Sequence, residues 1–260
     1  MTATRMIAVT RDVSRSLAAC ELSFVSRSVI DIDLATTQHH AYQEALQSLG
    51  CRVLALPAQE AMPDAVFVED VALVLDEVAV MTRPGAESRR AEGASIATVL
   101  ADFRPLLRIE APGTLDGGDV LRIGRAIFVG QSARSNAAGI AQLRELLAPH
   151  GYTVQGVATR DCLHLKSAVT QVAPDTLLIQ PAWVDAGIFA SYRLIEVDPG
   201  EEHAANALRI GEDAVIHPDC FPRTQQRLRD AGIAVTGVDV SELQKAEGAV
   251  TCCSLVFNGK

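Results

Sequence analysis

The sequence is poor in aromatic residues, which make up 4% of its 260 positions, and it contains a single tryptophan. A core built from it must rest on Val, Leu, Ile and Ala, within a hydrophobic content of 48%. Positive charge is also scarce: 23 Lys and Arg stand against 32 Asp and Glu, a formal net charge of −9. Nucleic-acid binding needs clustered Lys and Arg to neutralise phosphates, so this balance argues against a nucleic-acid partner and favours cationic small ligands. No apolar run approaches the roughly 18 residues of a membrane-spanning helix. The N-terminal MTATRMIAVTRD lacks the apolar stretch of a secretory signal. The expectation is a soluble, cytoplasmic protein with no membrane partner.

The six cysteines, at positions 20, 51, 162, 220, 252 and 253, show neither CxxC nor framework spacing. That argues against a disulfide scaffold or a zinc ribbon and for reduced thiols. HExxH, Walker, GxGxxG and GxSxG motifs are all missing, so neither a metal nor a cofactor is expected.

What the chain does have is repetition. β-rich runs at Arg52–Leu56, Leu106–Glu110, Tyr152–Val157, Arg193–Val197 and Ile233–Val238 recur about every 40 to 54 residues, a period at which internal repeats are sought. Each is followed by a polar stretch and then by two strands around a tight turn. The pairs are Val66–Leu75 with Val78–Thr82, Val120–Ile123 with Ala126–Val129, Ala168–Val172 with Thr176–Gln180, and Ala207–Ile210 with Ala214–Ile216. Helices are predicted over Leu34–Leu49, Ala86–Phe103, Ser135–Leu147 and Pro222–Ala231, and a short one over Pro181–Ser191. The fifth hairpin would pair Ala249–Phe257 with Met6–Thr10, joining the two ends of the chain. No linker or composition shift divides it, so residues 1–260 read as one domain: an α/β ring of five units.

In such a ring, equal offsets in each unit reach the same place near the axis. The residues at that offset are Glu69-Asp70, Asp116-Gly117-Gly118-Asp119, His164, Asn206 and Cys252-Cys253. Glu69 and Asp70 sit in a strongly apolar run, where a carboxylate needs a partner. A planar guanidinium that donates to two oxygens in parallel would suit them; a structural cap or turn is the other reading. Cys252 and Cys253, taken as strand residues, would face opposite sides, one toward the axis and one into the core. His164 is the one histidine at the central offset.

These residues make the sequence recognisable. It resembles the dimethylarginine dimethylaminohydrolases, guanidine-modifying enzymes of the pentein superfamily. The likeness rests on PDAVFVED (63–70), TRPGAESRR (82–90), LDGGD (115–119), GQSARSN (130–136), HLK (164–166), AAN (204–206) and GAVTCCS (248–254). It runs through nearly the whole chain, least over the first thirty residues. The resemblance implies a five-fold pseudosymmetric α/β propeller and a small-molecule guanidine substrate, methylated arginine, with a homodimer allowed. It implies Cys252 as nucleophile, His164 as general acid and base, and Asp116 as the carboxylate that orients His164. It further implies Asp70, with Glu69 beside it, as the guanidinium anchor, and Arg89 and Arg134 as ligands of the substrate carboxylate. Asp64 and the backbones of Leu22, on a lid, and Ala246 would hold the α-amino group. The reaction implied is attack of sulfur on the guanidinium carbon, loss of an amine and hydrolysis of a thiouronium to citrulline. The bound cation would help ionise Cys252. An arginine-deiminase-like hydrolase, a non-enzymatic binder on the same scaffold, and zinc bound at Cys252 as an inhibitor are the competing readings.

Overall fold

The computed structural model describes residues 6–259. Its strands form five three-stranded sheets of one repeated pattern. In the first, β1 (Met6–Arg11) pairs parallel with β2 (Arg52–Leu56) across helix α1 (Ile32–Ser48), and antiparallel with the last strand of the chain, β15 (Leu255–Asn258). The second contains β3 (Ala72–Val74), β4 (Ala79–Met81), α2 (Gly93–Ala101) and β5 (Leu106–Arg108). The third contains β6 (Val120–Ile123), β7 (Ala126–Gln131), α3 (Ala137–Leu147) and β8 (Thr153–Ala158). A one-turn helix, α4 (Leu165–Ala168), leads into the fourth, with β9 (Val169–Ala173), β10 (Thr176–Ile179) and β11 (Arg193–Glu196). The fifth has β12 (Leu208–Ile210), β13 (Ala214–Pro218), α5 (Pro222–Asp230) and β14 (Ala234–Val238), and a short α6 (Ser241–Gln244) leads back to β15.

Each middle strand is antiparallel to its inner neighbour and parallel to its outer one. A tight turn suffices for the first connection and a crossover is needed for the second, so a hairpin followed by a helix generates the unit. Gly124 and Gly211 turn two of the hairpins at positive φ, 59° and 72°, which a Cβ would disfavour. Asp31 caps α1 by accepting from Leu34 N, and Asn136 caps α3 by accepting from Gly139 N. Pro222 opens α5 and Gly232, at φ 89°, follows its end.

The inner strands β3, β6, β9, β12 and β15 all line one central cavity of about 600 Å³. The sheets are thus the blades of a five-fold α/β propeller, closed by pairing Met6 with Asn258. The core is divided accordingly into five apolar clusters built mainly of Leu, Ile, Val and Ala, as the shortage of aromatics demands. No described helix is long and apolar enough to cross a membrane.

Four local expectations are corrected. Val68–Val71 is a 3-10 turn, and the strand expected from Val66 begins only at Ala72. The helix expected over Ala86–Phe103 is a 3-10 turn at Glu87–Arg89 followed by α2, and Pro181–Ser191 yields only a 3-10 turn at Ala186–Phe189. Cys252 and Cys253 lie in a turn before β15, not in a strand; Cys252 N donates to Ala249 O at 3.2 Å. Burial on all sides makes these turns as apolar as strands, so hydropathy alone does not separate them.

His39 on α1 is fully buried, with both ring nitrogens unpartnered, and burial pushes it down to about 4 from an ordinary 6.5. The unfolded chain therefore binds a proton that the folded one refuses, and stability falls as pH drops from 6.5 through 4, by about 3 kcal/mol from this group. Urea unfolding at pH 7 and pH 4 should show the His39→Leu variant losing about 3 kcal/mol less than the parent chain over that interval.

Candidate active site

At one end of the ring each inner strand is preceded by a turn, and these turns meet at the axis. Val68–Val71 precedes β3, a 3-10 turn over Gly117–Asp119 precedes β6, His164 caps α4 before β9, and Thr251-Cys252-Cys253 precedes β15. The turns are bonded to one another: Glu69 N donates to Cys252 O at 3.1 Å and Gly118 N donates to Asp70 Oδ1 at 3.0 Å. Two glycines permit this approach. A Cβ on Gly117 would strike the Glu69 carbonyl, and one on Gly118 would lie 2.5 Å from His164 Nδ1 and 2.9 Å from Asp70 Oδ1.

Asp70, Asp64, Arg89, Arg134, His164, Ala246 and Cys252 line one small cavity, with Glu21, Phe67, Leu163, Glu247 and Gly248 completing its wall. Asp116 stands behind His164, wholly buried, with Oδ2 3.1 Å from His164 Nε2 and Oδ1 accepting from Gly85 N at 2.8 Å. Asp119 supports the same histidine from the other side. It accepts from Leu165 N at 2.9 Å, fixing the start of α4, and from the hydroxyls of Ser132 and Ser135 at 2.6 Å.

The electrostatics follow from burial and from these anions. Burial alone would lower His164, but Asp70, the bond to Asp116 and the charge of Asp119 outweigh it and push the imidazole up to about 9. Burial would raise Asp70, but His164 and Arg89 hold it down at about 2. Cys252 has no such help: burial, then Glu69 and Asp70, push its thiol up to about 12. The resting site therefore holds a neutral thiol, an imidazolium and a carboxylate.

Three residues with expected roles have protein partners of their own in this structure. Arg89 is buried, and its guanidinium is taken up by protein acceptors. Nη1 donates to Asp70 Oδ2 at 2.7 Å, Nε and Nη2 to the Glu92 carboxylate, and Nη2 also to the carbonyls of Asp64 and Phe67. In this closed arrangement it orients Asp70 and does not offer free donors to a carboxylate. Glu69 faces the opposite side of the axis, because successive residues of the 3-10 turn diverge. Its Oε1 meets Lys166 Nζ at 2.5 Å, its Oε2 accepts from Thr251 Oγ1 at 2.8 Å, and it lines the central cavity. Leu22, within the expected lid, packs against the core, and the backbone N–H bonded to Asp64 is that of Glu21, at 3.1 Å. Asn206, at the shared offset, is a clamp: it accepts from Thr251 N and donates to Thr251 Oγ1, both at 3.0 Å, steadying the nucleophile's turn.

In the segment 20–32, expected to act as a lid, Ser23 Oγ accepts from Arg134 Nη2 and Glu21 Oε1 accepts from Ser88 Oγ. With the lid in place the cavity measures about 20 Å³, the space of a single water. That volume is too small for an amino acid. Ligand atoms of Asp70, Asp116 and His164 lie within 4.8 Å of one another, a spacing that could hold a metal ion. Both oxygens of Asp70 and of Asp116 already accept protein donors, however, so the cluster is compensated as it stands. Glu92 and Glu247 were not singled out in the sequence; each lies a few residues from a recognised motif with no motif of its own.

A propeller with a thiol, an imidazolium and a buried carboxylate converging on its axis defines the guanidine-modifying class of cysteine-dependent hydrolases. The family described as "N,N dimethylarginine dimethylhydrolase, eukaryotic" matches residues 23–256. The N(G),N(G)-dimethylarginine dimethylaminohydrolase of Streptomyces coelicolor is 39% identical over 250 residues, covering 95% of each chain. A cysteine-to-serine variant of the Pseudomonas aeruginosa enzyme complexed with citrulline superposes with a TM-score of 0.92, at 36% identity, over 98% of this chain and 100% of that one. A histidine-to-glycine variant of a dimethylarginine dimethylaminohydrolase, as an adduct with S-methyl-L-thiocitrulline, gives 0.93 at 37% identity over 97% and 100%. The chain belongs to the dimethylarginine dimethylaminohydrolase family.

The Gly118→Ala variant should fold and lose at least about a hundredfold in turnover, since the added methyl must displace His164 or Asp70 by several tenths of an ångström. Unchanged turnover with an unchanged melting midpoint would remove the glycine from the account of the site.

Proposed function

We propose that this chain hydrolyses Nω-methylated arginines, releasing dimethylamine or methylamine and citrulline through a covalent intermediate on Cys252. The observation that carries the reading is the convergence of Cys252, His164 and Asp70 in one lidded cavity, with Asp116 bonded to His164. Asp70 holds the guanidinium nitrogens; its low pKa keeps it charged at any physiological pH. Arg134 meets the substrate carboxylate, while Asp64 and the backbone around Glu21, Leu22 and Ala246 take the α-amino group. Arg89 and Glu92 hold Asp70 in place. All of these residues come from one chain, so the reading requires no second copy. The six cysteines are free, as suits a cytoplasmic enzyme.

A thiol near 12 is about one part in 10⁵ thiolate at pH 7. A cation some 4 Å from sulfur supplies about 4 kcal/mol at an effective dielectric near 20, which is about three pKa units. Substrate therefore brings most of the driving force for its own attack, and the thiol proton leaves to solvent. The thiolate adds to the guanidinium carbon. His164, already protonated near neutrality, gives its proton to the departing amine. The neutral imidazole then takes a proton from the water that attacks the thiouronium; the tetrahedral adduct collapses with cleavage of the C–S bond, and its hydroxyl proton passes to the departing sulfur, which releases citrulline and restores the Cys252 thiol.

Asymmetric dimethylarginine should yield equimolar citrulline and dimethylamine, and Cys252→Ser should abolish both; preference for unsubstituted arginine would overturn the substrate assignment. In the ligand-free enzyme, alkylation of Cys252 by iodoacetamide, followed by peptide mass, should rise tenfold per pH unit from 7 to 10. A plateau below pH 8 would mean a thiolate formed before substrate arrives.

A further inference from the structure

Glu247 stands between the lid and the cavity. Its backbone lies at φ 60°, in the left-handed region that a side chain disfavours. Oε1 accepts from three successive lid amides: Ser23 N and Val25 N at 2.8 Å, and Phe24 N between them. This is the largest set of bonds from one side chain to the lid, and it holds backbone rather than side chains. Oε2 has a different environment. It is buried, it has no partner among the described residues, and it is the only carboxylate oxygen among them in that condition. A buried acceptor left unmade is costly, and native structures seldom tolerate one without a use for it.

The surroundings indicate what would complete it. Glu247 lines the same cavity as Glu21 and Asp64, so three carboxylates besides Asp70 belong to its wall, where the cation Arg134 stands 4.0 Å from Asp116 Oδ2 and donates to Ser23 Oγ. Asp64 already accepts from Glu21 N with both oxygens, at 3.3 and 3.1 Å. It can keep only part of its accepting capacity for a ligand. An ammonium group has three donors and no acceptor. Asp64 and a backbone carbonyl leave one donor to be met, and Glu247, with its unused Oε2, belongs to that wall as well as to a neighbouring cavity of about 380 Å³.

We propose that Glu247 is a specificity-determining residue that joins the lid to the substrate's α-ammonium: Oε1 latches the lid and Oε2 receives one ammonium N–H. The inference rests on the hydrolysis of a methylated arginine proposed above and adds the residue that reads its amino end. The same carboxylate closes the lid and is satisfied only with the ammonium beneath it, so closure is most favourable over an α-amino acid. A guanidino acid without that group would be enclosed with Oε2 still unpaired.

The test compares asymmetric dimethylarginine with its des-amino analogue, 5-(N,N-dimethylguanidino)pentanoate, in the wild-type chain and in Glu247→Gln and Glu247→Ala. The amide of Gln can still accept from the lid but presents N–H donors to the ammonium; Ala removes both functions. In each variant the KM for asymmetric dimethylarginine should rise at least about tenfold more than the KM for the analogue. The lid backbone itself meets the α-amino group, so loss of the latch in Glu247→Ala can move the ratio by that route, and Glu247→Gln, which still accepts from the lid, decides. A ratio near one in Glu247→Gln overturns the proposal, whether both KM values rise together or neither moves. Absence of wild-type turnover with asymmetric dimethylarginine defeats the assigned reaction, and this inference with it.

Discussion

The Asp70 carboxylate is the constraint on which the rest of the site depends. It is buried, and it remains ionised because Arg89 donates to one oxygen, Gly118 N donates to the other, and His164 stands 4.0 Å away. Arg89 is in turn fixed by Glu92 and two carbonyls, so the anion is held from behind as well as beside. The same negative charge raises both catalytic partners. With the bond to Asp116 and the charge of Asp119 it raises His164 against burial, and it adds to burial and Glu69 in raising the Cys252 thiol. The pair cannot be replaced by apolar residues in isolation, since Glu92 and the carbonyls of Asp64 and Phe67 would be left buried without their donor. Its value lies in the chemistry.

The propeller gives this charge its geometry. Turns before the inner strands put adjacent residues on opposite sides of the axis: Asp70 and Cys252 in the lidded cavity, Glu69 and Thr251 in the wide central one. Between them the bonds Glu69–Lys166, Glu69–Thr251 and Asn206–Thr251 form a polar partition. Alternation along two short turns separates the wide central cavity from the small lidded one without any dedicated domain.

Much of this architecture was legible in the sequence because it repeats. The outer strands, most hairpins and the closing pair β1–β15 fall where periodicity and turn residues put them, and Cys252, His164 and Asp70 share the offset that the ring brings to its axis. What stayed hidden has physical causes. Val68–Val71 and Cys252-Cys253 are buried on every side, so their hydropathy is that of strands although their backbone turns. Arg89 matches a motif, but its direction is set by Glu92 three residues on and by carbonyls exposed only when the 64–67 loop folds. Glu247 acquires its role by meeting a segment more than 220 residues earlier, a contact that no local pattern records.

Those separations have a consequence for how the molecule comes into being. The bond from Thr251 to Glu69 spans 182 residues, that from His164 to Asp116 spans 48, and the lid is tied to its latch across 223. Contacts so distant along the chain are made slowly, after local hairpins and helices have formed. Cys252, the proposed nucleophile, sits on the segment that feeds β15, and it reaches Asp70 only when that strand docks on β1. An incomplete ring on a ribosome or a refolding pathway therefore carries no half-active site. Recovered turnover is in effect a clock for closure of the circle, and it strikes only once.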